Sequence, residues 1–575
     1  MQAIDDSLTH FLNKSQQFTI PIFQRKYNWD KKQCKQLYDD IIMIGKSYDE
    51  AHFLGSIVHL DDKHNIIPTY RVIDGQQRLT TITLLISALA KFLIQNPDLD
   101  IGISAEKLVN YYLINVMEDG DLKYKIKLNH PDNKTLQNVI EYTLVEQDTI
   151  ITSPDDSKRI WDNYKYFLNR IEQEEDVKIV FEGFKKLSII VVSLKEHIDN
   201  PQLIFESLNS KGLPLRNSDL IRNYVLMGLT PSEQDKIYQD YWFEMEELLE
   251  NIKGYNFDRF IKDYLTTRED KIPVEKELYN EFKRYAQEFF LKQSSYDKFE
   301  NIKDLTKDIY QYFKYFEKFY AGKEENTKLK MAFESVNELG YKVITPFFLH
   351  LYDDYYNGLL SLSEFLEIID ITESYLFRRY VCELPTHSLK TIFAYAYDQI
   401  DKDHYSDSYS LYLLNEEGNL RFPTTREFSR DFVSLNLYRK SSLVKYALRK
   451  LENFGHEKEP TATENYTVEH IMPQNPDLSD EWQAELGYNW KEIQEKYLHT
   501  IGNLTLTGYN QKYSDLPFKE KRDMENGFRD SSIRLNKSLA NLNSWNVNQI
   551  EKRASDLRKE ANKIWYYPKV QKHLK

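Results

Sequence analysis

A chain of 575 residues is long enough for three or four domains, and a 41% hydrophobic content lets each form a core. Its two cysteines, Cys34 and Cys382, are too few and too far apart for a CxxC zinc site or a disulfide framework, which points to a reducing cytoplasm. The net charge of −14 excludes a uniformly basic nucleic-acid binder, but the charge is uneven: from Asn436 to the end there are 23 Lys+Arg against 19 Asp+Glu, and from Gln511 on 15 against 8.

In chain order, Met1 to Thr9 carries Asp5 and Asp6 and has no basic-then-apolar leader pattern. Phe18 to Trp29 reads as an extended, aromatic segment that includes Gln24 and Arg25. Asp30 is placed as the N-cap of a helix running to about Lys46, with Leu37, Ile41 and Ile44 on one stripe. Phe53 to Leu60 reads as a strand, Asp61 to Asn65 as a turn, and Tyr70 to Asp74 as a second strand. Gly75-Gln76-Gln77-Arg78 then opens a long apolar helix from Leu79. The apolar run Leu79 to Ile94 holds three threonines and Lys91, and is read as too short and too polar to span a bilayer, so no membrane partner is expected.

A strand, a glycine turn and a helix start make an anion site, because free backbone N–H groups and the helix dipole point at the turn. Arg25 and Arg78 supply guanidinium forks for phosphate oxygens, and Asp74 a carboxylate for a metal or its bound water. With Gln24, Gly75, Gln76 and Gln77 they form the expected nucleotide-binding set. No GxxxxGK[ST] occurs, so an ordinary P-loop is excluded.

The middle, about residues 230 to 459, reads as helical and aromatic-rich, for example over Tyr238 to Ile252 and Leu305 to Phe319. Its Phe and Tyr stripes are expected to be core rather than base-stacking platforms. Arg378-Arg379 and Arg439-Lys440 are expected on a solvated face or in salt bridges rather than on phosphates. The stretch Gly455 to Thr463 is the best linker candidate, and no internal repeat or low-complexity tract occurs.

The last part carries the most specific chemistry. Tyr466-Thr467-Val468 has strand character, and Pro473, within Val468-Glu469-His470-Ile471-Met472-Pro473-Gln474, ends it. A second alternating run, Asn503 to Thr507, is broken by Gly508, and Asn510 sits where a helix would begin. This inventory suits phosphodiester hydrolysis at a ββα-metal site. A neutral imidazole, His470, serves as base, and oxygen ligands from Glu469 and Asn510 suit magnesium or manganese. Asn503 is expected to brace the loop through its amide. Neighbours on a strand face opposite ways, so Glu469 and His470 share a site only if the strand bends or ends there.

Three N-terminal segments, Ile20-Pro21-x-x-Gln24-Arg25-x-Tyr27-x-Trp29, Phe53-Leu54-Gly55-Ser56-Ile57 and Asp74-Gly75-Gln76-Gln77-Arg78-Leu79-Thr80-Thr81, resemble the N-terminal module of GmrSD-type, modification-dependent restriction enzymes, a module similar to the ParB and sulfiredoxin fold. The stretch Ile204 to Asn223 matches it too. The C-terminal segment, with Leu516-Pro517-Phe518-Lys519-Glu520-Lys521 after it, resembles the HNH nuclease module of the same family. That resemblance implies His470 as general base, Glu469 and Asn510 as metal ligands and Asn503 as the orienting asparagine. Asn510 stands where many HNH members have a histidine.

The fold class expected is α+β and predominantly helical. A ParB-like nucleoside-triphosphate module spans 1–229, a helical connector 230–459 and an HNH module 460–575. The function implied is NTP-dependent cleavage of foreign, modified or phage DNA with Mg2+ or Mn2+. The identity of the nucleotide is open, as is a homo-oligomeric state. Lys519 and Lys521 in the basic tail are candidates for DNA phosphate. The alternative is a ParB-like, NTP-switched DNA-binding protein without nuclease activity.

Overall fold

The computed structural model describes residues 1–569 apart from 50, 63–66, 130–131, 146–156, 196–198, 200, 210–214, 270, 294–296, 457–458 and 464. The chain is α+β and mostly helical, and it divides into two compact units. The first comprises Met1–Asn251, Asn256–Asp258 and Lys276–Asp308, and the second Ile252–Tyr255, Arg259–Glu275 and Ile309–Lys575.

The first unit is built on a mixed sheet of β1 (Gln2–Ser7), β2 (Gln17–Thr19), β3 (His52–Asp62), β4 (Thr69–Asp74), β5 (Ile126–Lys127) and β6 (Leu187–Leu194). Their order in the sheet is β1-β6-β3-β4-β2-β5. β3 runs antiparallel to β4, with Val58 opposite Asp74, and parallel to β6. The expected extended segment 18–29 is a strand only over Gln17–Thr19. Asp61 and Asp62 prolong β3 where a turn was expected, and the rest of that turn lies outside the described residues. The helix at Asp30 forms as expected over Lys31–Lys46, closed by a reciprocal capping box between Asp30 and Gln33.

The helix Gln76–Gln95 is the core of this unit. It packs against the helices Ala105–Tyr112, Asp132–Leu144 and Lys158–Glu172. At 20 residues it is longer than the run Leu79 to Ile94 and is long and apolar enough to cross a membrane, but it is buried along most of its length. Length therefore does not argue against a span; packing does. The hydroxyls of Thr80, Thr81 and Thr83 bond the carbonyls four residues back, which hides them in an apolar setting. Lys91 donates to the Val145 carbonyl at 2.6 Å and lies over the Tyr142 ring.

In the second unit the helical aromatic stripes are core: Tyr312, Phe313, Phe316 and Phe319 are all buried. The helix Leu362–Val381 is buried nearly all round, and this corrects the reading of Arg378-Arg379. Both guanidiniums are interior. Arg378 donates to the carbonyls of Trp565 (2.6 Å) and Pro423 (3.0 Å), and Arg379 to that of Pro385 (2.6 Å). Backbone carbonyls accept from both, which a sequence pattern does not display. Arg439 does make its salt bridge, to Glu383.

The linker candidate 455–463, of which 457–458 lie outside the described residues, is irregular but held by hydrogen bonds. Thr461 N–H donates to the Asn453 side chain, Arg534 donates to the carbonyls of Glu452 and Glu459, and Thr463 is buried. Pro460 and mixed charge marked an irregular segment, not a free one. A two-stranded antiparallel sheet, β7 (Thr467–His470) with β8 (Leu504–Thr507), then leads into a second apolar core. Met472, Trp482, Phe518 and Trp545 are among its members.

Candidate functional site

The second unit holds the first site. Glu469 and His470 are the last two residues of β7, opposite Thr505 and Leu504. Because the strand stops at His470, the two side chains need not diverge across a sheet. Glu469 is 3% exposed, and its Oε1 accepts from Lys521 Nζ at 2.7 Å. Burial pushes its carboxyl up to about 7, with Lys521 pulling the other way. His470 Nε2 lies 3.0 Å from His499 Nδ1. Burial first, then His499 and Lys521, lower the His470 imidazole to about 3, so it is neutral at physiological pH.

Asn503 is fully buried, and its amide ties the loop before the second strand to the loop after β7. Its Nδ2 donates to the carbonyls of Met472 (3.1 Å) and Leu498 (3.0 Å). Its Oδ1 accepts from Met472 N (2.8 Å) and Trp545 Nε1 (3.1 Å). Asn510 opens the short helix Asn510–Tyr513 and donates from Nδ2 to the Val468 carbonyl at 3.1 Å. That bond ties its amide beside Glu469 and leaves Oδ1 for another partner.

Lys521 needs correcting. Its side chain is 0% exposed, and its ammonium donates to Glu469 Oε1 and to the carbonyls of His470 (3.1 Å) and Ile471 (3.3 Å). Three acceptors use its three protons, so it is an internal counter-ion and not a surface phosphate contact. Lys519, on the same helix Phe518–Asp523, is exposed. His499 and Tyr438 were not foreseen. Tyr438 stacks on the His499 ring and meets the His470 ring edge-on at 4.5 Å. A histidine four residues before Asn503 was the only signal, and nothing in the sequence placed Tyr438 there.

Whether this site suits a divalent cation is a question of donors. Glu469 Oε2 and Asn510 Oδ1 are hard oxygens with no hydrogen bond among the described residues. No group of three His, Cys, Asp or Glu converges among the described residues. Two protein oxygens, with water and phosphate completing the shell, match magnesium or manganese better than zinc.

The first unit holds the second site, at the corner between β4 and the helix Gln76–Gln95. Gly75 caps that helix at φ +98°, a left-handed turn that favours glycine. Arg78 Nη2 lies 3.2 Å from Asp74 Oδ2, and Arg78 lies over the bare Cα of Gly55. Three glutamines lace the 24–29 segment to this corner. Gln24 donates to Ile73 O, Gln76 to Arg25 O, and Gln77 accepts from the N–H groups of Asn28 and Trp29. Their amides are thus engaged with backbone, and Arg25 and Arg78 carry the charge.

Arg25 shares its surroundings with Asp219, Arg216, Arg222 and Asp74, and burial first lowers its pKa. Arg222 is buried on Phe23 O, Glu246 and Asp219, whereas Arg216 is largely exposed. These three were legible as part of the stretch to Asn223 but were not named as site residues. Residues 210–214 of that stretch lie outside the described residues.

Residues 8–226 match the model of the GmrSD restriction endonuclease N-terminal domain, and residues 422–560 that of the GmrSD restriction endonuclease C-terminal domain. The chain belongs to the GmrSD restriction endonuclease family. Each site falls inside one matched segment, in the family's order, and together the segments cover more than half of the chain. A GmrSD-type chain is a restriction endonuclease, a nuclease hydrolase acting on DNA. No curated protein matches it.

Proposed function

We propose that this GmrSD-type chain is a divalent-metal-dependent DNA endonuclease of HNH type, governed by a ParB-like nucleoside-triphosphate site in its N-terminal unit, and that it restricts modified or phage DNA in the cytoplasm. The three-part division 1–229, 230–459 and 460–575 is part of this reading. The observation that carries it is the end of β7: a neutral imidazole, a carboxylate and a tethered asparagine oxygen meet at one strand terminus.

His470 is the general base, taking a proton from the attacking water. Its contact with His499 fixes the ring, and His470 Nδ1 makes no hydrogen bond among the described residues. Glu469 and Asn510 would hold Mg2+ or Mn2+, which when bound supplies charge for the phosphate oxygens. Asn503 locks the loop behind His470 so that neither residue drifts. At the other site, Arg25, Arg78 and Arg216 meet the phosphates, and the glutamines hold Arg25 in place.

Cleavage of plasmid and phage DNA over a panel of base and backbone modifications, with and without each NTP, tests the reading. Metal-dependent cleavage that EDTA stops supports it. DNA binding that responds to NTP, with no cleavage under any condition, would favour the ParB-like alternative.

A further inference from the structure

The 3.0 Å contact between His470 Nε2 and His499 Nδ1 joins two nitrogens that each carry either a proton or a lone pair. An imidazole is neutral above its ordinary pKa of about 6.5, and burial lowers that of His499 further. Between two neutral rings one nitrogen donates and the other accepts, so only two arrangements exist. In the first, His470 Nε2–H donates to His499 Nδ1, and His470 Nδ1 keeps its lone pair. In the second, His499 Nδ1–H donates, and the proton of His470 sits on Nδ1. His470 then has no free lone pair and cannot act as a base.

The surroundings favour the first arrangement. His470 is buried, and its Nδ1 makes no hydrogen bond among the described residues. A buried N–H without an acceptor is rarer in folded proteins than an acceptor with spare capacity. His499 is also held firmly enough to keep its Nδ1 aimed. Its carbonyl accepts from Leu437 N–H at 3.1 Å. Its ring lies under that of Tyr438, with centroids 5.4 Å apart and planes within 6°, and meets the His470 ring at 78°. The turn Leu437–Arg439 therefore grips His499 by backbone and by ring at once.

We propose that His499 is a positioning residue that sets the tautomer of His470: it accepts from Nε2–H and so leaves the Nδ1 lone pair for the attacking water. The inference rests on the reading of His470 as general base. In the reacting step the water proton goes to Nδ1 while the water oxygen bonds to phosphorus and a P–O ester bond breaks, its oxygen leaving with the DNA strand. The imidazolium that forms keeps its Nε2–H bond to a neutral His499, which accepts it without charge repulsion.

An acceptor set against a donor at the same place tests this. His499→Asp offers Nε2–H only an acceptor, whereas His499→Lys offers only donors and pushes the His470 proton onto Nδ1. For the full chain in Mg2+ at saturating DNA, kcat should stay within about tenfold of wild type in His499→Asp and fall by about 10² or more in His499→Lys. Charge attraction for DNA predicts the reverse order, because lysine draws a polyanion and aspartate repels it, and that effect belongs in KM. Circular dichroism checks that both variants fold. Nitrogen-15 spectra of the histidine-labelled wild-type chain at about pH 8 read the tautomer without relying on either variant, the His470 signals being identified by their loss in His470→Ala. An Nδ1 without a proton is the expected result. In a chain that cleaves and is silenced by His470→Ala, a proton on Nδ1 would overturn the proposal and leave the nuclease reading standing. So would a kcat in His499→Lys equal to or above that in His499→Asp. A wild-type chain that does not cleave would bring down the nuclease reading and the proposal with it.

Discussion

At the scale of single residues, the proposed C-terminal chemistry rests on three side chains, Glu469, His470 and Asn503. Glu469 sits at about 7, well above an exposed glutamate, because burial outweighs Lys521. Below that value a proton occupies it, and a cation must displace that proton. Mn2+ affinity by calorimetry should therefore rise by up to about tenfold per pH unit below 7 and level off above it. Since the folded chain holds this proton more tightly than the unfolded one, stability at this group falls as pH rises towards 7. His470, lowered to about 3, adds no further limb above pH 5. An Mn2+ affinity that is flat from pH 5.5 to 8 would remove Glu469 from the metal shell. Asn503 makes a structural prediction: Asn503→Ala leaves four buried partners unmet, so the loss should be on the order of 3 kcal/mol, a drop in Tm of about 5 °C for a unit of this size. Thermal denaturation followed by circular dichroism measures it. A near-normal Tm would mean the loop after β7 does not need that amide.

At the scale of elements, the corner between β4 and its helix offers a test through a residue that carries no chemistry. Gly55 has φ +125°, and a Cβ there would collide with Arg78 Nη1. Gly55→Ala should cost about 1–3 kcal/mol in backbone strain and displace the guanidinium. NTP turnover should fall as far as in Arg78→Ala while the chain stays folded. Full turnover in Gly55→Ala would show that Arg78 need not stand over that glycine. Much of this corner was legible in the sequence. Asp30 announces the N-cap of its helix, and Gly75 after the run Tyr70 to Asp74 announces the glycine turn and the helix start. The end of β8 and the helix at Asn510 followed from Gly508, whereas β7 stops at His470, before the Pro473 that was expected to end it. What stayed hidden depended on partners far along the chain. Lys521 looked like a surface lysine because nothing local says that it reaches Glu469, 52 residues earlier. Arg378 looked solvated because its acceptor, Trp565 O, lies 187 residues away. The stretch 455–463 looked like a linker because Arg534 cannot be seen from it.

At the scale of the whole molecule, the proposed nucleotide site lies in one compact unit and the proposed nuclease site in the other. If the NTP site governs cleavage, Arg78→Ala and Asp74→Ala should lose NTP hydrolysis and also change DNA cleavage or phage restriction, although neither touches His470. Hydrolysis of GTP, ATP, UTP and CTP beside nicking, for the same variants, reads both. Restriction and cleavage unchanged in a variant with no NTP turnover would show that the sites work independently. The most direct test of the central claim is cleavage of a susceptible DNA in Mg2+ by the full chain and by His470→Ala, with NTP hydrolysis measured in the same samples. Loss of the base should slow cleavage by about 10² to 10⁴-fold and leave NTP turnover near normal. A His470→Ala chain that cleaves at the wild-type rate would contradict the account.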